Sequence, residues 1–131
     1  MIALAVGAAG GLGAAARWLL DAVVSRRTRG AFPNRRLSGQ SFPYGTLCIN
    51  VVGSLLLGII TGLVAHHGAP ASLAKIAGTG LCGGFTTWST FVWESRQLYR
   101  PGHRALAVAQ VSVHLAACVA AATIGLACTG S

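Results

Sequence analysis

From Tyr44 to Ala65 no residue carries a charge. A helix of that length rises about 30 Å, the thickness of a bilayer's hydrocarbon core. Three further apolar runs follow the same rule: Met1 to Leu20, interrupted only by Arg17; Ile76 to Trp93, between Lys75 and Glu94; and Ala105 to about Ala127. A soluble domain must clothe its surface in charge, yet apolar residues make up 53% of this chain and charged ones 9%. The chain therefore reads as an all-α membrane protein. At about 20 residues per span, four spans are the ceiling for 131 residues and leave no room for a soluble catalytic domain. The expected organisation is one four-helix transmembrane domain over residues 1–131, with spans near 1–20, 44–65, 76–93 and 105–127.

The first run has a competing reading as a signal peptide, because Ala14, Ala15 and Ala16 offer small residues for cleavage; the lack of a basic leader argues against it. Arg17 lies about 25 Å along such a helix, where its guanidinium reaches the headgroups, so it does not forbid a span. The arginine-rich 25 to 42 connection, with Pro33 and Gly39, suits an interfacial loop or a short amphipathic segment. The net charge of +8 raises nucleic-acid binding, but the arginines cluster beside apolar runs, as topology charges do. Cys48, Cys82, Cys118 and Cys128 show no metal or disulfide spacing and read as small packing residues.

Small residues recur at helical spacing, as in Gly7 and Gly11, Gly10 and Ala14, and then Gly45, Gly53 and Gly58, which lets helix backbones approach closely in lipid. A bundle this small hardly encloses a pathway alone, so an oligomer is expected. Between Gly80 and Phe91 a Gly83-Gly84 pair is followed by Thr86, Thr87, Ser89 and Thr90 in mid-span. Two readings are open: a broken helix whose freed backbone lines a cavity or binds an ion, or a kinked helix whose hydroxyls bond back to their own backbone. Thr46 and Asn50, four apart, share a face of the second span. Asn50 serves either as interhelical glue or as a donor to an anion. In the fourth span Gln110, Ser112 and His114 are the strongly polar residues, and His114 reads as packed neutral against a neighbour in preference to a proton relay.

Three blocks then resemble the Fluc or CrcB fluoride channels: Gly10-Gly11-Leu12-Gly13-Ala14-Ala15-Ala16-Arg17-Trp18, Gly45-Thr46-Leu47-Cys48-Ile49-Asn50-Val51-Val52-Gly53-Ser54, and Gly83-Gly84-Phe85-Thr86-Thr87-Trp88-Ser89-Thr90-Phe91. The resemblance covers nearly the whole chain. It implies four transmembrane helices with the third broken, an antiparallel dimer with two pores, and fluoride export from the cytoplasm that relieves fluoride toxicity. It also implies a structural, untransported sodium ion (Na+) at the dimer centre, held by the backbone carbonyls of Gly83 and Thr86. The family's pore aromatics fall on Trp88 and Phe91, its pore asparagine on Asn50, its polar track on Thr46 and Ser112, and its vestibule basic residue on Arg17. Two departures bear on pore detail: Trp88 replaces a phenylalanine, and Val108 stands where many members have a tyrosine.

Elementary electrostatics is consistent with such a pore. An isolated anion in a low-dielectric medium costs tens of kcal/mol, so fixed donors must replace its water. Asn50, Thr46, Ser112 and the hydroxyls of Thr87, Ser89 and Thr90 can donate, the Trp88 indole adds an N–H, and ring edges carry the positive end of the aromatic quadrupole. Weak donors permit exit as well as entry. No nucleophile and base pair, metal cluster or phosphate loop points to an enzyme. The alternative is a small four-helix multidrug-type secondary transporter, which needs a membrane-buried carboxylate; Asp21 and Glu94 lie at span ends.

Charge also addresses orientation. Nine of the ten basic residues flank the loops after the first and third spans, and only Lys75 lies on the other side. So uneven a count fixes a single insertion, with arginine loops in the cytoplasm and both termini outside the plasma membrane. Within an antiparallel dimer, a chain so fixed requires a homologous partner of opposite orientation.

Overall fold

The structure is a computed structural model that describes residues 1–31, 43–99 and 104–130, with side chains of 25 and 28–31 excepted. Its regular elements are helical: α1 (Ile2–Ala31), α2 (Tyr44–His66), α3 (Ala71–Leu73), a π-helical segment (Ala74–Cys82), α4 (Gly83–Phe85), α5 (Trp88–Tyr99) and α6 (Arg104–Cys128). No strand occurs among the described residues. Three stretches are long and apolar enough to cross a membrane: Ile2–Val24, Tyr44–His66 and Arg104–Cys128. The fourth unit, residues 71–99, is interrupted.

The helices expected over 44–65 and 105–127 run from Tyr44 to His66 and from Arg104 to Cys128. The first differs from expectation. It does not end near residue 20 but continues through Arg26, Arg27 and Arg29 to Ala31, so that the first seven residues of the connection expected at 25 to 42 are helical. Arginine is a good helix former and no proline intervenes before Pro33, so the helix keeps its hydrogen bonds after its side chains leave the apolar layer. Pro33, Arg35, Arg36 and Gly39 lie outside the described residues. The third unit also exceeds its expected 76–93, since helical residues begin at Ala71 and end at Tyr99. Arg104 stacks over the Tyr99 ring, 5.2 Å from its centroid, and joins the facing ends of α5 and α6.

Two parallel pairs build the bundle, each sealed by glycine. In the first, α1 runs alongside the π-helical segment and α4, and a β-carbon on Gly84 would meet the Gly10 carbonyl, while one on Gly13 would meet the Leu81 carbonyl and the Phe85 amide. In the second, α2 runs alongside α6, where a β-carbon on Gly58 would strike the Ala122 carbonyl and one on Gly125 the Leu55 carbonyl. Contacts of backbone on backbone are how helices adhere where lipid supplies no hydrophobic drive. His67 Nε2 lies 2.9 Å from the Thr129 carbonyl and ties the far ends of α2 and α6 together. Between the pairs sits a small core of Ile49, Cys82, Phe85, Phe91, Leu98, Ala107 and Ala121, joined by four buried polar residues: Thr46, Thr87, Gln110 and His114.

Candidate pore site at the broken helix

The interruption lies between α4 and α5, at Thr86 and Thr87, inside the Gly80 to Phe91 stretch singled out above. Thr86 leaves the helix with ψ 160°, an extended conformation. Its amide and its Oγ1 both donate to the Cys82 carbonyl, each at 2.9 Å, which closes the last turn of the first half. Thr87 opens the second half. Its Oγ1 accepts the Thr90 amide at 3.3 Å, as an N-cap hydroxyl does for the third residue of its helix, and donates to Thr90 Oγ1 at 3.0 Å. The helix is broken, as the first sequence reading has it, and Thr86 also bonds back onto its own backbone, as the second has its hydroxyls do.

These bonds divert two main-chain donors. In a continuous helix the Gly83 carbonyl would accept from the Thr87 amide and the Thr86 carbonyl from the Thr90 amide. Here the Thr87 amide donates to Asn50 Oδ1 at 2.8 Å, and the Thr90 amide is taken by the Thr87 hydroxyl. The carbonyls of Gly83 and Thr86 are thereby released from their helical partners; the resemblance stated above implies these two as sodium ligands.

Asn50 clamps the break from α2. Besides accepting the Thr87 amide, it donates through Nδ2 to the Thr87 carbonyl at 3.0 Å, and Nδ2 lies 2.8 Å from His114 Nε2 on α6. The His114 ring packs on Phe91 with centroids 4.4 Å apart, and Phe91 contacts Trp88 at 5.3 Å. One open cavity of about 430 Å³ is bordered by Asn50, Thr86, Thr87, Trp88, Phe91 and His114, and none of its lining residues is acidic. Phe91 is buried at 7% exposure, whereas Trp88 at 76% stands at the open side.

The other residues named from the sequence are dispersed. Thr46 is buried, but its hydroxyl donates to Glu94 Oε1 at 2.9 Å. Ser89 and Thr90 are exposed on the first turn of α5, with Ser89 Oγ 3.4 Å from Thr87 Oγ1. Ser112 is exposed on α6 and does not border the cavity, Val108 beside it is 63% exposed, and Arg17 lies half-exposed on α1. Gly83 is exposed and borders the cavity.

Sequence reasoning missed two partners. Glu94 was placed at a span end, yet α5 runs antiparallel to α2 and so carries it to Thr46. His114 was read as a packing residue and not as the acceptor for Asn50. The signal for the first was the antiparallel order of consecutive spans; for the second there was none, since the two residues lie 64 positions apart. Gln110, one turn from His114, is fully buried, and neither atom of its amide has a hydrogen-bond partner.

A family model described as CrcB-like protein, Camphor Resistance (CrcB), matches residues 4–126. The chain belongs to the CrcB family. Among its relatives, a protein of Cutibacterium acnes named fluoride-specific ion channel FluC 2 is 46% identical over 121 residues, 91% of this chain and 89% of the relative. A fluoride-specific ion channel FluC 1 of Thermobifida fusca is 40% identical over 127 residues, 96% of this chain and 92% of that one. One of Leifsonia xyli, also FluC 1, is 45% identical over 98 residues, 75% of this chain and 64% of the relative's length. CrcB membership, together with three apolar helices, makes this a multi-pass membrane protein. The relatives' names are those of ion channels, a non-enzymatic function.

Proposed function

We propose that this CrcB protein is a subunit of a fluoride channel whose path runs along the cavity at the break. The observation that carries the reading is the character of that cavity: two aromatic rings, threonines and an amide, with no acidic lining residue to repel an anion. A fluoride ion entering it exchanges water for ring edges and for hydroxyl and indole N–H donors, each weak enough to release it. Trp88 and Phe91 form the narrow wall, Asn50 and Thr87 hold that wall in place, and Ser89 and Thr90 offer hydroxyls at the open end. Thr46, Ser112 and Arg17 continue the path toward the aqueous ends, with Arg17 drawing anions toward it.

A second, antiparallel subunit completes the channel and supplies a second pore. The exposed apolar side chains of Trp88, Val108, Val111 and Leu115 support such a partner. A sodium ion between subunits would be held by the Gly83 and Thr86 carbonyls, whose helical donors are diverted; it would supply a fixed positive charge without being transported. The direction of use is export from the cytoplasm. Given the one-sided arginines, the chain inserts with both termini outside and pairs with a homologous subunit of opposite orientation.

The test is fluoride efflux from liposomes carrying the purified protein, followed with a fluoride electrode against a chloride control. Rapid fluoride release with chloride retained is expected. Proton-coupled cation uptake without fluoride release would support the multidrug-type transporter instead.

A further inference from the structure

Resting on the fluoride-channel reading, we infer that His114 is a positioning residue for the pore: by accepting the second amide hydrogen of Asn50 it locks that amide onto the Thr87 peptide and so fixes Trp88 and Phe91 at the cavity.

The orientation of the Asn50 amide is settled by its partner. A peptide unit offers one donor and one acceptor, and Asn50 meets both of Thr87's, with Oδ1 on the amide and Nδ2 on the carbonyl. Turning the amide over would set N–H against N–H and oxygen against oxygen. One Nδ2 hydrogen is thus spent on Thr87 and the second points to His114 Nε2, 2.8 Å away. Nε2 must therefore present its lone pair, which places the imidazole proton on Nδ1. His114 Nδ1 is buried without a hydrogen-bond partner, and the whole side chain is 5% exposed. A ring turned over would offer Asn50 only a C–H.

It follows that Asn50 has no free donor for an anion while this arrangement holds. Its contribution passes through Thr87, the residue that caps α5, and through α5 to the two rings. His114 reaches the same rings directly, since its own ring packs on Phe91. Only neutral His114 can do this, because a proton on Nε2 would oppose the Asn50 amide hydrogen. The titratable groups on the surrounding elements are few. Cys82 and Cys118 border the same cavity; on α5, Glu94 stands one turn beyond Phe91 with its Oε1 engaged by Thr46. On α2 the neighbours are Thr46 and Asn50, which do not titrate.

The experiment uses His114→Gln, whose side-chain oxygen can accept from Asn50 but does not titrate, and His114→Leu, which fills the space without an acceptor. In the liposome assay His114→Leu should lose about tenfold in fluoride flux, while His114→Gln stays within about threefold of the parent. The parent's flux should hold from about pH 8 down to about pH 6 and fall only at lower pH, corrected for protein-free liposomes, and that of His114→Gln should not fall. In parallel, nitrogen-15 NMR of the full chain in detergent, with the His114 signals assigned by their loss in His114→Gln, should show the proton on Nδ1 and a hydrogen-bonded, unprotonated Nε2. A proton on Nε2, or equal flux from the Gln and Leu variants, overturns the inference. Absence of fluoride flux from the parent alongside the expected tautomer overturns the channel reading alone, so the two failures are told apart.

Discussion

Asn50→Asp changes one NH2 group to a charged oxygen with almost no change in volume. The Thr87 amide keeps its acceptor, but the Thr87 carbonyl at 3.0 Å and the His114 lone pair at 2.8 Å each come to face an anion where they had faced a donor. The bond to the Thr87 carbonyl becomes a repulsion, His114 keeps its contact only by moving its proton to Nε2, and the wall of a cavity with no acidic lining residue gains a negative charge. For an anion passing about 4 Å from that carboxylate, an effective dielectric of about 20 gives a penalty of about 4 kcal/mol. In rate terms this is about a thousandfold, since each 1.4 kcal/mol is about a factor of ten. Fluoride efflux from liposomes near neutral pH is the assay, with size-exclusion chromatography confirming that the variant assembles like the parent. Because water that enters the open side screens part of the charge, a hundredfold loss is the least that the argument allows. A correctly assembled Asn50→Asp protein with parental flux would place the anion's path away from Asn50 and refute the reasoning.

Phe91→Leu keeps an apolar side chain but removes the ring that contacts both Trp88 and His114; fluoride flux should drop about tenfold with assembly unchanged, as measured by the same efflux assay. Gly84→Ala and Gly83→Val separate contacts within the chain from contacts across a subunit boundary. A β-carbon on Gly84 meets the Gly10 backbone, so Gly84→Ala should cost about 1–3 kcal/mol and lower the thermal midpoint in detergent. A β-carbon on Gly83 meets nothing within 4 Å, so any loss of dimer in Gly83→Val, read by cross-linking, reports a second subunit pressing on that site. Thr86→Ser keeps the hydroxyl that reaches Cys82 and should retain flux and dimer better than Gly83→Val. With Cys128→Ser removing the exposed native thiol at the opposite end, Arg27→Cys, near the end of α1, should be labelled by an impermeant maleimide only after the cells are opened; substantial labelling of intact cells would exclude the single orientation.

Uncharged length made α2 and α6 legible, because one property, about 30 Å of apolar helix, decides a span irrespective of its neighbours. The place of the break was legible for a similar reason: glycines followed by hydroxyl residues are locally poor helix, and Thr86 and Thr87 stand within that run. The end of α1 was not, since apolar periodicity marks where a helix leaves the lipid and not where it stops. The π-helical turns from Ala74 to Cys82 also carry no local mark; they arise where the backbone is drawn against α1 through Gly80 and Gly13. Least legible were the long-range pairs. Asn50 with Thr87, Asn50 with His114 and Thr46 with Glu94 depend on the register between helices, which the glycine contacts set and which no single segment contains.

The pairing of α1 with the third unit and of α2 with α6 has a consequence for biogenesis. Segments enter the bilayer in the order in which they are synthesised, yet neither pair joins consecutive segments. When α2 arrives, the carbonyls destined for Gly58 do not yet exist, and it must wait for two further segments before its glycine face is covered. It is thus α6 that closes the pair with α2, and with it His114 reaches Asn50. A nascent chain arrested before α6 would hold the broken helix with Asn50 but without His114 behind it, and with the glycine face of α2 uncovered. Synthesis of α6 and closure of the second helix pair are in this sense a single event.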